Sequence, residues 1–225
     1  MINVIVKFTG TTSDIRDLKA NINGKTPFDF EKILPVPNYP TNERMTSRAI
    51  YYYLSNRLEI SKEDVLKKHP FFADHFEHKV FEKRMYKSRS SDYWFNAGKT
   101  IVELIKKYGQ WNRLEWIYAN WGWGLDGLEY SELLKESSES LEYTISAKGI
   151  PSHVLEKICE DYPEIEMTGG WIDLSDNTIG LFKGEFGFYA EHEFCTLSEV
   201  EYETVCHAIY QHDFGTLEAY VSECA

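Results

Sequence analysis

Residues 141–167 read LEYTISAKGIPSHVLEKICEDYPEIEM and contain the clearest structural signals in the chain. LEYTIS alternates apolar and polar residues, which predicts a half-buried β-strand. Pro151 stands where the first turn of a helix favours proline, and apolar residues recur on one helical face at Val154 and Ile158. Pro163 ends this helix, and a further β-rich run follows it. The stretch therefore predicts a strand, a helix and a second strand in succession.

The flanking sequence extends this pattern on both sides. Towards the N-terminus, residues 3–8 (NVIVKF) form a β-branched run that predicts a strand, and Thr12 can cap the helix after it. Towards the C-terminus, two β-rich runs meet at residues 175–177 (SDN), which is typical of a hairpin turn. Ser198 and Glu201 then have the spacing of a capping box. We expect a closing helix from there to about Tyr210.

The middle of the chain has a different character. Residues 27–40 contain four prolines, which predicts a pinned extended loop or an edge segment. Residues 44–108 are predicted to be helical, and we interpret 41–110 as a helical insertion. The most regular apolar stripe in this part, with i, i+3, i+4, i+7 spacing, consists of Ile101, Leu104, Ile105 and Tyr108. It predicts a helix that ends at Gly109.

The order of elements decides between fold classes. Strands and helices do not alternate regularly, so a wide parallel sheet is not expected. The sequence predicts an α+β fold: a ferredoxin-like antiparallel sheet with helices on one face and a helical insertion. We expect one domain over residues 1–225. The Ser-rich stretch at 131–140 (SELLKESSES) is predicted to be a connecting loop.

The composition is that of a globular protein. The chain has 225 residues, of which 43% are hydrophobic and 15% aromatic, and no apolar run approaches the ~20 residues of a membrane span. The first residues lack the pattern of a secretory signal and are predicted to form a strand. The four cysteines have none of the short paired spacings of metal or redox sites. These features favour a cytoplasmic protein with free thiols and no membrane partner.

Charge is distributed very unevenly along the chain. The formal net charge is −12. Residues 1–113 contain 20 Lys and Arg against 13 Asp and Glu, a net charge of +7, whereas residues 114–225 contain 4 against 23, a net charge of −19. Such a division indicates charged partners or mutual attraction of the two parts, although two differently charged solvated faces would have the same composition.

Motifs for catalysis or metal binding are weak. Residues 122–127 match GxGxxG, but the long helix and the acidic residue that a dinucleotide site needs do not follow. Residues 69–78 contain three histidines without the spacing of a zinc protease, and Cys206 beside His207 falls on an apolar helix face. We therefore expect no metal, no cofactor and no catalytic residue, and we favour a protein that is not an enzyme.

Two aromatic-rich stretches are candidates for binding. Residues 79–107 interleave basic and aromatic side chains, but the acidic chain makes nucleic acid a less favoured partner than another protein. Tryptophans also cluster at the corner after the helical insertion, where they either pack between sheet and helices or line a ligand cleft. The candidate ligand- or partner-binding residues are Trp94, Trp116, Asn120, Trp121, Trp123 and Asp126.

Three segments together resemble the YubB-like ferredoxin-like domain family: PFDFEKILPVP (27–37), WIYANWG (116–122) and the stretch at 141–167. The likeness covers about the first 40 residues and residues 110–190. Where such proteins usually continue with Thr-Lys-Trp-Asn/Asp, this chain has WGLD at 123–126. The resemblance implies the fold and a plasmid or phage context. It implies no established activity, so it supplies no catalytic residue.

The sequence thus predicts a non-enzymatic binding or interaction protein of a mobile genetic element. Two alternatives stay open. The acidic half could act as an anti-defence or DNA-mimic inhibitor of a host protein. A tryptophan-lined cleft could instead serve a small-molecule hydrolase or transferase, which would require titratable groups converging beside the indole rings.

Overall fold

The computed structural model describes residues 1–58, 67, 89–122, 128–173, 175–176, 178–193 and 198–224. The strands in these residues are β1 Ile2–Thr9, β2 Leu128–Glu136, β3 Ser140–Ala147, β4 Glu166–Asp173, β5 Thr178–Glu185 and β6 Phe188–Glu193. The helices in the same residues are α1 Thr12–Ile22, α2 Phe30–Ile33, α3 Glu43–Leu58, α4 Ser91–Tyr108, α5 Arg113–Trp121, α6 Ser152–Asp161, α7 Glu199–Gln211 and α8 Phe214–Cys224.

The chain divides into two compact units. The first consists of Met1–Pro35 and Ile117–Ala225, and the second of Val36–Trp116. The second unit includes the range of the predicted helical insertion, 41–110, whereas the sequence predicts one domain over 1–225.

The first unit is built on one antiparallel sheet with the strand order β2-β3-β1-β4-β5-β6. β1 lies in its interior, where Val6 is opposite Tyr143 of β3 and Gly169 of β4. Because side chains alternate along a strand, Val6 and its neighbour Ile5 face opposite sides of the sheet, and both are buried. The predicted α+β class with an antiparallel sheet is confirmed. The more specific ferredoxin-like assignment stays a prediction.

Aromatic side chains form the core on the first face of the sheet. The Phe8 ring stacks on Phe28 with centroids 6.3 Å apart, and Tyr143 meets Phe28 edge-on at 5.4 Å. Helix α6 covers β5 and β6 on this face, because a Cβ added to Gly184 would lie 2.2 Å from Cys159 Sγ. The absence of a side chain at Gly184 therefore lets the helix approach the strand closely.

The opposite face of the sheet also carries helices. The C-terminal helices α7 and α8 pack on it through one core cluster, whose members are Ile5, Ile172, Ile179, Leu181, Val205, Ala208, Ile209, Phe214 and Leu217. The sequence predicts helices on one face of the sheet. The structure has helices on both faces, because α7 and α8 cover the second one. The predicted capping box of α7 is present: Ser198 N donates to Glu201 Oε2 at 2.9 Å, and Glu201 N donates to Ser198 Oγ.

The predicted loop at 131–140 is wrong over most of its length, because β2 continues to Glu136. Ser131 is 6% exposed, and its Oγ accepts a hydrogen bond from Phe28 N at 3.1 Å. Two shifts of register, at Leu128/Tyr130 and Leu133/Lys135, interrupt the strand. These irregularities remove the two-residue periodicity by which an edge strand would be found in the sequence.

The second unit contains the pair of helices α3 and α4. Their core cluster consists of Ala49, Ile50, Trp94, Ala97 and Ile101. A Cβ added to Gly98 would lie 2.0 Å from the carbonyl oxygen of Ala49, so the two backbones approach at a glycine. Helix α4 ends at Gly109, which has a φ of +83°. The helix predicted from the apolar stripe at 101–108 is therefore present and ends at the predicted residue.

Candidate interaction surface

Trp94, the candidate binding residue on α4, lies in the core of the second unit and has no exposed surface. Its indole N–H has no hydrogen-bond partner among the described residues. Its ring meets the neighbouring Tyr93 ring edge-on, with centroids 5.4 Å apart. The surroundings of Trp94 are thus those of a packed core residue.

The other described candidate residues lie on α5. Trp116 and Trp121 are 2% and 4% exposed, and Asn120 is half-buried. Trp121 Nε1 donates to the carbonyl oxygen of Leu34 at 2.9 Å, and its ring meets Phe30 edge-on at 6.1 Å. These contacts fix the indole at the edge of the first unit's core.

Two of the candidate binding residues, Trp123 and Asp126, lie outside the described residues. The chain leaves α5 at Gly122, which has a φ of +82°. A Cβ at this position would lie 2.8 Å from the backbone of Gly149, so both the conformation and the space require glycine. A ligand- or partner-binding role for the six candidate residues stays a prediction.

One carboxyl group does lie beside an indole ring in the second unit. Trp111 donates its indole N–H to Glu115, whose pKa is raised by burial. Glu115 N in turn donates to Asn112 Oδ1 at 2.9 Å, and Trp111 N donates to Glu115 Oε2 at 3.5 Å. These reciprocal contacts are those of a helix N-terminus, here the start of α5. Helix capping therefore accounts for the position of Glu115.

A second polar cluster, partly buried, surrounds Glu191 of β6, which sequence reasoning missed. Its carboxylate accepts hydrogen bonds from Trp171 Nε1 at 2.7 Å, Ser152 Oγ at 2.6 Å and Tyr189 OH at 2.9 Å. Burial and the neighbouring Glu191 raise the pKa of Tyr189, so this hydroxyl stays protonated and donates. All three donors are neutral and both carboxylate oxygens are occupied. The cluster thus joins α6, β4 and β6.

The features of a metal site or a membrane span are not found in the described part of the chain. No three His, Cys, Asp or Glu side chains there are grouped so that they could hold a metal ion. The histidine-containing stretch at 69–78 lies outside the described residues, as does most of the GxGxxG match. None of the described helices has both the length and the apolar character needed to cross a membrane.

The division of charge follows the division into units. The first unit contains nine Lys and Arg and 26 Asp and Glu, a net charge of −17, whereas the second contains 15 and ten, a net charge of +5. Ion pairs occupy several lysines of the first unit: Lys7 with Glu218, Lys19 with Glu136, Lys157 with Asp161 and Lys183 with Glu185. The cations of this unit are too few to balance its carboxylates, and the surface of the first unit is strongly acidic.

Helix α7 shows how this acidity reaches the surface. Glu199 and Glu203 are exposed and one helical turn apart. Glu203 is one of the residues that line a groove of about 380 Å³ between α7 and α8; the others are Val200, Thr204, His207, Ala208, Asp213 and Thr216. The Thr216 hydroxyl donates to Asp213 at 2.6 Å and lowers the pKa of that carboxyl, which favours its charged form. We call Glu199, Glu203 and Asp213 the α7 acidic patch.

Comparisons with known proteins found little. No family model and no curated protein matches the chain. It is similar to the solved crystal structure of protein api92 from Yersinia pseudotuberculosis, described with the family model DUF1281. The TM-score is 0.43 and the sequence identity 9%, over 88% of this chain and 98% of that one. A likeness at this level supports no statement about activity or ligands.

Proposed function

We propose that this protein is a non-enzymatic interaction protein whose acidic first unit binds a basic surface of a partner protein. The observation that carries the proposal is the net charge of −17 on that unit. A surface of one sign attracts oppositely charged partners over distances of about a Debye length, ~8–10 Å at 0.1–0.15 M salt. The plasmid or phage context is a separate part of the proposal and is supported only by the family resemblance.

Two further observations support binding over catalysis. Trp94, Trp116 and Trp121 are almost completely buried, which disfavours an open cleft lined by these rings. The carboxyl groups found beside indoles already accept hydrogen bonds: Glu115 from the indole and backbone N–H groups of Trp111, and Glu191 from three side chains. A general base must be free to reach a substrate proton, and neither carboxylate is placed to do so.

The alternative of a DNA mimic is a narrower version of the same proposal. The excess of carboxylates in the first unit would compete for the site where a DNA-binding protein holds phosphates. Competition with DNA separates the two versions, since a mimic displaces DNA from its partner and a protein that binds elsewhere does not.

A salt-dependent binding experiment tests the proposal. A lysate of the cell in which this protein occurs is passed over DNA-cellulose. The proteins that bind are eluted and passed over the immobilised full-length chain. We expect a basic protein to be retained and its Kd to rise at least several-fold between about 50 and 300 mM salt. Neutralising part of the α7 acidic patch with Glu199→Gln and Glu203→Gln should weaken this binding several-fold.

The matched control removes two charges from the second unit, with Asp92→Asn and Glu103→Gln at exposed positions of α4. We expect this control to bind as the unsubstituted chain does. The proposal is overturned if no basic protein is retained, if the affinity does not respond to salt, or if the two double variants behave alike.

A further inference from the structure

The turn between β5 and β6 contains an unexpected residue. Glu185 ends β5 and is paired with Phe188 of β6, so Phe186 and Gly187 alone form the turn. Their φ values are +53° and +80°, the pattern of a type I′ turn. Asn, Asp and Gly are preferred at its first position, because a bulky side chain is strained in the left-handed region. Phe186 therefore occupies a position for which other residues are better suited.

Burial does not compensate for this strain. Phe186 is 76% exposed and Phe188 is 79% exposed, the largest exposures among large hydrophobic side chains in the described part of the chain. Isolated exposed apolar residues are common, but here two exposed phenylalanines stand two positions apart at one hairpin turn. Neither ring contributes substantially to the core, so folding alone does not explain why phenylalanine stands at these positions.

The surroundings of the turn are acidic. A Cβ added to Gly187 would lie 3.5 Å from Pro163 Cβ, so the turn lies beside the segment that follows α6. The exposed carboxylates of that segment and of the last turn of α6 are Glu160, Asp161 and Glu164. Lys157 pairs with Asp161 at 2.5 Å and with Glu160 at 3.7 Å, which leaves an excess of negative charge.

We propose that Phe186 and Phe188, which we call the hairpin anchor, insert into an apolar pocket on a partner protein whose rim carries Lys and Arg side chains. This inference rests on the proposed function and identifies the centre of the interface. Protein interfaces concentrate their affinity in a few aromatic residues that are surrounded by polar contacts. The hairpin anchor supplies the aromatic residues, and the carboxylates near Pro163 complement a basic rim.

The same charges argue against two other occupants. An anionic membrane surface would repel the carboxylates beside the hairpin anchor. A symmetric contact with a second copy of this chain would bring two acidic turns together, which like-charge repulsion disfavours. A basic protein surface avoids both penalties.

Photo-crosslinking locates the contact directly. Benzoylphenylalanine is placed at position 188 of the full-length chain, and at position 130 as the control. Tyr130 is 51% exposed on β2, the opposite edge strand of the sheet. We expect crosslinks from position 188 alone, to apolar residues of a basic protein that are flanked by Lys or Arg.

The protein identified by crosslinking is then purified, and its affinity for two variants of the hairpin anchor shows how much each ring contributes to binding. Phe186→Asn should raise Tm by about 2–4 °C, because Asn is better tolerated at positive φ, and should weaken binding at least tenfold. Phe188→Thr suits an edge strand and should also weaken binding at least tenfold, whereas Tyr130→Thr should leave the affinity unchanged. A more stable variant that binds less tightly cannot be explained by misfolding.

The results separate this inference from the proposed function. If both phenylalanine variants bind normally while Glu199→Gln with Glu203→Gln binds weakly, the hairpin anchor is overturned and the acidic interaction function stands. If neither set weakens binding, or nothing basic is retained, both are overturned. Crosslinks to a second copy, or sedimentation with phosphatidylcholine or phosphatidylglycerol vesicles that Phe188→Thr abolishes, would also overturn the basic-pocket partner.

Discussion

The indole of Trp171 lies across strand β5 and donates its N–H to Glu191 of β6 at 2.7 Å. Gly180 lies opposite Trp171 in the sheet, and a Cβ there would be 2.4 Å from Trp171 Cε2. Because Gly180 has no side chain, the Trp171 ring has room to extend over β5 and reach β6. The hydrogen bond between Trp171 and Glu191 thus connects β4 to β6 across β5.

Gly180→Ala should displace this indole. Because the added methyl group meets a ring that is 1% exposed, we expect a loss of about 1–3 kcal/mol in the free energy of unfolding. Urea unfolding followed by tryptophan fluorescence measures the change. Gly215→Ala is the control, since the new Cβ would lie 3.4 Å from Asp213 Oδ1 and alanine favours the helix there. Equal stability of both variants would contradict the steric argument.

Glu191→Ala should destabilise the same region for a different reason. Trp171, Ser152 and Tyr189 would lose their shared acceptor, and the buried indole N–H could not turn to water. An unsatisfied buried donor costs about 1–3 kcal/mol, which sets the expected loss. Glu193→Ala on the same strand is exposed and should change stability by less than about 0.5 kcal/mol. If both variants lose the same free energy of unfolding, the hydrogen bonds of Glu191 add no stability beyond that of an exposed glutamate on the same strand.

Much of the fold could be predicted from local signals. The strand and helix within 141–167, the helix ending at Gly109 and the capping box at Ser198 all depend on neighbours in sequence. Strand β2 was missed because its register shifts twice and its buried Ser131 is satisfied by Phe28, more than 100 residues away. A long-range hydrogen bond leaves no trace in the local sequence pattern.

The functional surface was harder to predict. The uneven distribution of charge is visible in the sequence. The structure adds that one compact unit has a net charge of −17. The Phe-Gly dipeptide at 186–187 was available as a turn signal, but only the paired strands reveal that Phe186 adopts a positive φ and stays exposed. Glu191 was not predicted, since two of its three donors, Ser152 and Trp171, are 39 and 20 positions away in the chain.

Gly98→Ala tests the close approach of α3 and α4 in the second unit. The new Cβ would lie 2.0 Å from the carbonyl oxygen of Ala49, a backbone atom that cannot rotate away. We expect a loss of about 3 kcal/mol, at the upper end of overpacking effects. Circular dichroism during urea unfolding reports the loss of helix. Lys99→Ala, exposed on the same helix, should be nearly neutral, and a neutral Gly98→Ala would contradict the observed contact.

Alkaline pH should destabilise the first unit through Cys159. Burial, together with the smaller effects of the nearby Glu156 and Glu160, raises the pKa of this thiol from 9.0 to about 12. In the unfolded chain the thiol ionises near its ordinary value, whereas the folded protein keeps it protonated. The raised pKa therefore contributes stability that is complete below about pH 9 and is lost progressively as the pH rises towards 12.

Urea unfolding at several pH values between 7 and 11 measures this loss. Cys159→Ala removes the thiol and should make the decline above pH 9 shallower, whatever its effect on stability at pH 7. Part of the decline should persist in the variant, because burial also raises the pKa of Tyr143 to about 12. Identical slopes for the variant and the unsubstituted chain would show that Cys159 ionises as readily in the folded protein as in the unfolded one, and that α6 does not hold the thiol against Gly184.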